Sequence, residues 1–104
     1  MEHSHQPYTL GIWKVKPGNE EAFIAAWQDL ATWTEKHFSA GGKGYLLQDN
    51  DKPQLLISYG SWKDTQTIAA WRATTEFQAF AAKAKIWCDE WQPHSMRLVA
   101  ASRD

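Results

Sequence analysis

Few side chains in this 104-residue chain have the chemistry to move a proton or polarise an oxygen. His94 is the first candidate. Its imidazole titrates near neutrality, so it could act as the base for a phenolic proton or one next to a carbonyl. The plainer reading is a hydrogen-bonded or exposed histidine in a strand. His37 lies one turn past Trp33, where a cation complements the negative end of a helix. Tyr45, Tyr59 and Arg72 could each polarise a ligand oxygen. Tyr59 is the one expected to point into a cavity. Arg72 directly follows Trp71 on a helix and is expected to face solvent. His3 and His5 could hold copper or nickel weakly, but a tail of this composition reads first as disorder.

Other chemistries are excluded by what is missing. The chain has no HExxH, no GxSxG and no GxGxxG. That argues against a zinc peptidase, an elbow-type serine hydrolase and a dinucleotide oxidoreductase. Gly41-Gly42-Lys43-Gly44 lacks the spacing of a phosphate loop and the Ser or Thr after its Lys. Cys88 is the single cysteine, so neither an intrachain disulfide nor a cysteine-based zinc cluster can form. That fits a reducing cytoplasm.

Eleven Lys and Arg against twelve acids give a net charge of -1 with no basic stripe. Nucleic acid is therefore not an expected partner. No apolar run approaches the roughly 18 residues that span a bilayer, and the N-terminus lacks the apolar core of a signal peptide. Seven tryptophans are a large aromatic volume for a chain of this size. Some of it is expected to line a pocket or an interface.

The elements that must position these residues follow from periodicity. Residues 1–7 read as a disordered lead, and residues 8–104 as one domain. Tyr8 to Val15 alternates Tyr8, Leu10 and Ile12 against Thr9, Gly11, Trp13 and Val15, the pattern of a strand. Gly18 or Asn19 caps a helix from Glu20 to Phe38, with Phe23, Ala26, Trp27 and Leu30 on one stripe. Ala40-Gly41-Gly42 ends it. Strands follow over 44–48 and 54–62, separated by turn residues 49–53. Lys63-Asp64 opens a short helix carrying Ile68 and Trp71. A break at 73–75 leads to a second helical piece with Phe77, Phe80, Ala81 and Ala84. Residues 91–101 form a last extended segment.

The order strand, helix, strand, strand, helix, strand predicts a ferredoxin-like α+β fold, βαββαβ. Right-handed crossovers would give a four-stranded antiparallel sheet with helices on one face. The strands are apolar on both sides, as Leu55 beside Leu56 illustrates. The second face would be costly to leave in water, and a second copy packed sheet to sheet would cover it. A homodimer is therefore expected.

Over residues 8 to about 100 the chain resembles the antibiotic biosynthesis monooxygenase family of the dimeric α+β barrel superfamily. The resemblance rests on Val15-Lys16-Pro17-Gly18 leading into a helix with Phe23 and Trp27. It rests also on Tyr59-Gly60-Ser61-Trp62 followed by Asp64, and on Trp71 followed six residues later by Phe77. It implies a site between the helices and the sheet within each subunit. Some members oxygenate quinols or anthrones with neither metal nor flavin, the deprotonated substrate itself reducing oxygen. Others bind haem and cleave its ring, using an Asn on the first strand and a His ten residues beyond the Trp. Those positions fall here on Gly11 and Ala81. Alanine cannot ligate iron, so that mechanism does not carry over directly.

The resemblance thus implies a cofactor-independent monooxygenase acting on a small planar aromatic, with molecular oxygen as co-substrate. Trp71, Tyr59, Phe77 and Trp13 are the expected substrate-binding residues and His94 the expected base. The alternative is a dimeric module that binds a small apolar ligand without turning it over. A haem-binding relative using His94 or His37 is the third reading.

Overall fold

The computed structural model describes residues 5–38 and 42–102. Its elements are β1 (Pro7–Val15), α1 (Glu20–His37), β2 (Gly44–Gln48), β3 (Leu55–Ser61), α2 (Thr65–Arg72), α3 (Thr75–Trp87) and β4 (Cys88–Arg97). One sheet holds the strands in the order β2-β3-β1-β4, with every neighbouring pair antiparallel. Strands β1 and β2 are thus parallel with β3 between them, and β3 and β4 are parallel with β1 between them. This is the split βαβ arrangement, a ferredoxin-like α+β fold as expected.

Register assigns the sheet faces. Trp13 is opposite Leu56 on β3 and Trp91 on β4. Trp13, Val15 and Leu56 are buried with Phe23 and Leu30 of α1 and Phe77, Phe80 and Ala84 of α3. Successive strand residues point to opposite sides. Thr9, Gly11, Trp13 and Val15 therefore face the helices, while Tyr8, Leu10 and Ile12 face away. The outer face also holds Ile57, Tyr59, Tyr45, Leu47, His94 and Met96. Among the described residues nothing covers it: Leu47 is 55% exposed, Tyr45 46% and Met96 45%.

Local chemistry places the helix ends. Gly18 takes φ +92, where a side chain would be strained. Asn19 occupies the start of α1 without a side-chain bond, and the carboxylate of Glu20 instead accepts from the Gly18 N–H at 2.9 Å. Asn19 is thus the cap residue by position, one of the two expected, and Glu20 secures the turn before it. Asp64 caps α2, accepting from the Thr67 N–H at 2.7 Å. Thr74 caps α3, accepting from the Phe77 N–H at 3.2 Å. That cap separates the two helical pieces, as the break at 73–75 predicts.

Two boundaries differ from expectation. Residues 1–4 of the expected disordered lead, His3 among them, lie outside the described residues, as do Ala40 and Gly41. His5 and Gln6 do not belong to a loose lead: the His5 N–H donates to Leu98 O at 2.7 Å and the Leu98 N–H to Gln6 O at 2.8 Å, continuing the β1–β4 ladder up to Pro7. Strand β4 begins at Cys88, directly after α3, rather than at Trp91. Pro93 is tolerated inside it because β4 is an edge strand.

Candidate functional site

Across the helix-facing side of the sheet, side chains diminish from one end to the other. The row Gln48, Leu56, Trp13 and Trp91 is bulky. The next row is Leu46, Ser58, Gly11 and Pro93. The third is Gly44, Gly60, Thr9 and Ser95. Helix α1 runs over all three, so the missing side chains at Gly44 and Gly60 leave space beneath it. A cavity of about 270 Å³ occupies that space. Trp27, Leu30, Ala31, Thr34 and Glu35 of α1 line it from above, with Thr9, Ser58, Gly44 and Gly60 below and Trp62 and Trp71 among its walls.

Two of the indoles lining the cavity, Trp62 and Trp71, and the neighbouring Trp13 are pinned by hydroxyls. Trp71 Nε1 donates to Thr34 Oγ1 at 2.9 Å, and that hydroxyl donates to Leu30 O at 2.7 Å. Trp62 Nε1 donates to Thr9 Oγ1 at 3.0 Å. Trp13 Nε1 donates to Ser58 Oγ at 3.0 Å. An indole N–H is a donor only, and a buried one without a partner is costly. Each tryptophan is thereby held in one orientation. Ring contacts add to this: Trp62 and Trp71 are 4.9 Å apart, and Trp71 and Phe77 4.6 Å.

The expected site residues separate into three places. Trp71 lines the cavity. Phe77 is buried behind it, spanning the α2–α3 break to back its ring. Trp13 is core: 4% exposed, stacked on Trp91 at 4.7 Å, and in touch with the cavity only through Ser58. Tyr59 lines the cavity with main chain, because its side chain points to the outer face and packs on Tyr45 at 5.3 Å. His94 pairs with Leu10 on that same outer face and does not line the cavity. The structure does not bring His94 together with Trp71.

Other residues depart from their expected settings. Arg72 is half-buried rather than solvent-facing. Its guanidinium donates to His94 O at 3.3 Å, tying α2 to β4, and burial lowers its pKa. His37 Nδ1 donates to Trp33 O at 2.9 Å, and its ring stacks on Trp33 at 4.6 Å. It finishes α1, as its position predicts.

Glu35 and Lys43 line the cavity and were not singled out from the sequence. The signal for Glu35 was its spacing of four from Ala31 and eight from Trp27, on one side of α1. Above Gly11, an added Cβ would meet Trp13 Nε1 at 2.8 Å and Ser58 Oγ at 2.9 Å. No larger residue fits at that position without breaking the Trp13–Ser58 bond. Ala81 is half-buried against the core. Among the described residues no group of three His, Cys, Asp or Glu could hold a metal ion. No described helix is long and apolar enough to cross a membrane.

A sequence model of the antibiotic biosynthesis monooxygenase family matches residues 10–83. No curated protein matches the chain. Among solved structures, SnoaB from Streptomyces nogalater, a cofactor-independent oxygenase in mutant form, superposes with a TM-score of 0.85 at 13% identity, covering 96% of this chain and 99% of that one. A Shewanella oneidensis protein superposes at 0.82 with 19% identity, covering 93% and 94%. A Pseudomonas aeruginosa protein does so at 0.80 with 16% identity, covering 96% and 100%. At these identities the likeness shows the fold.

Proposed function

The chain belongs to the antibiotic biosynthesis monooxygenase family, and on that premise we propose that it oxygenates a small planar aromatic of quinol or anthrone type without a cofactor. The observation that carries this reading is the cavity beneath α1, about 270 Å³ and walled by tryptophans, inside a chain of that family. Sites for flat apolar ligands have this character: a mostly apolar lining with a few fixed polar groups. The SnoaB likeness in fold is consistent with chemistry that needs no cofactor.

In this reading Trp71 and Trp62 hold the ring, Phe77 backs Trp71, and Trp13 fixes Ser58. The substrate loses a proton and becomes the reductant. For an anthrone, oxidation of the ring methylene to a carbonyl releases four electrons. One atom of molecular oxygen enters the product and the other leaves as water. We assign proton acceptance to Glu35, a carboxylate in the lining. A base must come within hydrogen-bond reach of its proton, and His94 projects from the other side of the sheet. Two copies pair through the outer sheet face, and a reducing cytoplasm suits the single buried thiol.

The test is oxygen consumption by the purified protein with a panel of quinols and anthrones, with and without chelator. Uptake that chelator leaves unchanged supports the oxygenase. A second reading is a module that binds such a ligand without turning it over, since among the described residues no histidine lines the cavity. Ligand binding with no oxygen consumed across the panel would decide for that reading.

A further inference from the structure

We propose that Ser58 and Thr9 turn their hydroxyl hydrogens to the cavity and select ligands that place an acceptor oxygen, a carbonyl or phenolate, against the sheet. The inference rests on the reading of this cavity as a ligand site, whether or not the ligand is turned over.

The argument is an accounting of donors and acceptors. A hydroxyl has one hydrogen to give and two lone pairs to receive. Ser58 Oγ receives from Trp13 Nε1 and Thr9 Oγ1 from Trp62 Nε1, each at 3.0 Å. Among the described residues neither O–H has an acceptor. Thr34 in the same lining is different, because it receives from Trp71 and gives to Leu30 O, so its hydrogen is spent. A hydroxyl that accepts from an indole is also polarised into a better donor.

Geometry sets the two hydroxyls side by side. Thr9 is opposite Gly60 and Ser58 is opposite Gly11, so they are diagonal neighbours on the helix-facing side. Such neighbours lie roughly 7 Å apart. Both line the cavity. Gly11 protects this arrangement, since a Cβ there would strike both atoms of the Trp13–Ser58 bond. The two donors therefore sit on the cavity floor, where the glycines admit the edge of a flat ligand. A ligand carbonyl satisfies the hydroxyl it reaches, and a ligand with only C–H edges leaves both unpaired.

A matched pair of bicyclic probes tests this: α-tetralone, which carries one ring carbonyl, and tetralin, which has none. Titration calorimetry would measure both on the wild type, on Ser58→Ala, on Thr9→Val and on the double variant. The expected result is a preference for tetralone of about tenfold in the wild type, the worth of one good hydrogen bond. At least one single variant lowers the ratio, and the double variant brings it close to one. A wild type that binds tetralin but shows no preference, or a preference that survives the double variant, overturns the donor assignment alone. Loss of both probes in the variants overturns it as well, since the hydroxyls would then hold the cavity open rather than choose its occupant. A wild type that binds neither probe overturns the ligand-site reading and this inference with it.

Discussion

Gly44 on β2 stands directly opposite Gly60 on β3, and the pair removes two side chains from the same patch of floor. An added Cβ at Gly44 would meet nothing closer than Trp27 Cη2 at 3.7 Å, an ordinary contact. Gly44→Ala is therefore expected to fold with unchanged or slightly raised stability, up to about 1 kcal/mol, because it restricts the unfolded chain. Gly44→Leu extends into the cavity and should abolish tetralin binding while the protein still unfolds cooperatively. Calorimetric titration beside a urea melt checks both. Undiminished binding to the Leu variant would mean the ligand sits elsewhere.

The choice between Glu35 and His94 as proton acceptor separates cleanly in kinetics. Glu35→Gln should lower the oxygen-uptake rate by roughly a hundredfold or more with little change in KM, the usual worth of a general base. His94→Gln should leave the rate near wild type, since its side chain leaves the sheet on the face away from Trp71. The reverse pattern would return the role to His94 and imply that the reacting ligand lies on the outer face.

Asp64 makes the start of α2 sensitive to acid. Hydrogen bonds from the Thr67 hydroxyl and then the Thr67 N–H hold its carboxyl below the ordinary aspartate value. A carboxyl depressed in the folded state contributes stability that is complete above the unfolded pKa, about 3.9. That contribution is lost as pH falls through the lower folded value. Asp64→Ala should melt below wild type at pH 7, and the gap should narrow as the buffer is taken below the ordinary aspartate range. A gap that stays constant with pH would show that the charge plays no part.

Cys88 is buried at the junction of α3 and β4. Burial, then the nearby Asp89 carboxylate, pushes its thiol up to about 11, against a smaller opposing pull from Lys16. The thiolate is the reactive form. Alkylation by iodoacetamide at pH 8 should therefore run roughly a hundredfold slower than for a free cysteine, and reach the free rate only in denaturant. A rate near that of free cysteine in the folded protein would contradict the burial.

The outer sheet face carries Leu10, Ile12, Ile57 and the exposed Leu47 and Met96 with nothing upon them. Sedimentation at micromolar concentration should give the mass of two chains, and Leu47→Lys with Met96→Lys the mass of one. A wild-type monomer would remove the pairing.

Much of this architecture is legible from periodicity. Alternation alone places Thr9, Gly11, Trp13 and Val15 on one side of β1, and the break between Trp71 and Phe77 is visible in Ala73-Thr74-Thr75. What alternation does not reveal is which side of β3 meets the helices. Leu55, Ile57 and Tyr59 are more apolar than Leu56, Ser58 and Gly60, so hydropathy in β3 favours the wrong side until pairing with β1 supplies the sign. Tyr59 therefore meets the cavity with its main chain only, its side chain on the outer face, and the register of β4 on β1 places His94 on that face too. The glycine floor is hidden for the same reason. Gly44 and Gly60 are distant in sequence, and only the β2–β3 register makes them neighbours. Glu35 is hidden because a charged residue on an amphipathic helix reads as its solvated side, and Glu35 is indeed exposed while also lining the cavity.

Trp62 and Trp71 stand 4.9 Å apart with their planes at 43°, both in the wall of one cavity and both anchored by their indole N–H groups. Two chromophores so close and so rigidly inclined absorb as a coupled pair rather than as separate rings. Their circular dichroism in the ultraviolet is therefore a built-in optical gauge of the wall. A ligand that slides between the floor and these rings, or nudges one against the other, alters the coupled signal without any label. Occupancy can be followed on the stopped-flow timescale in the unmodified protein, before any chemistry has been identified.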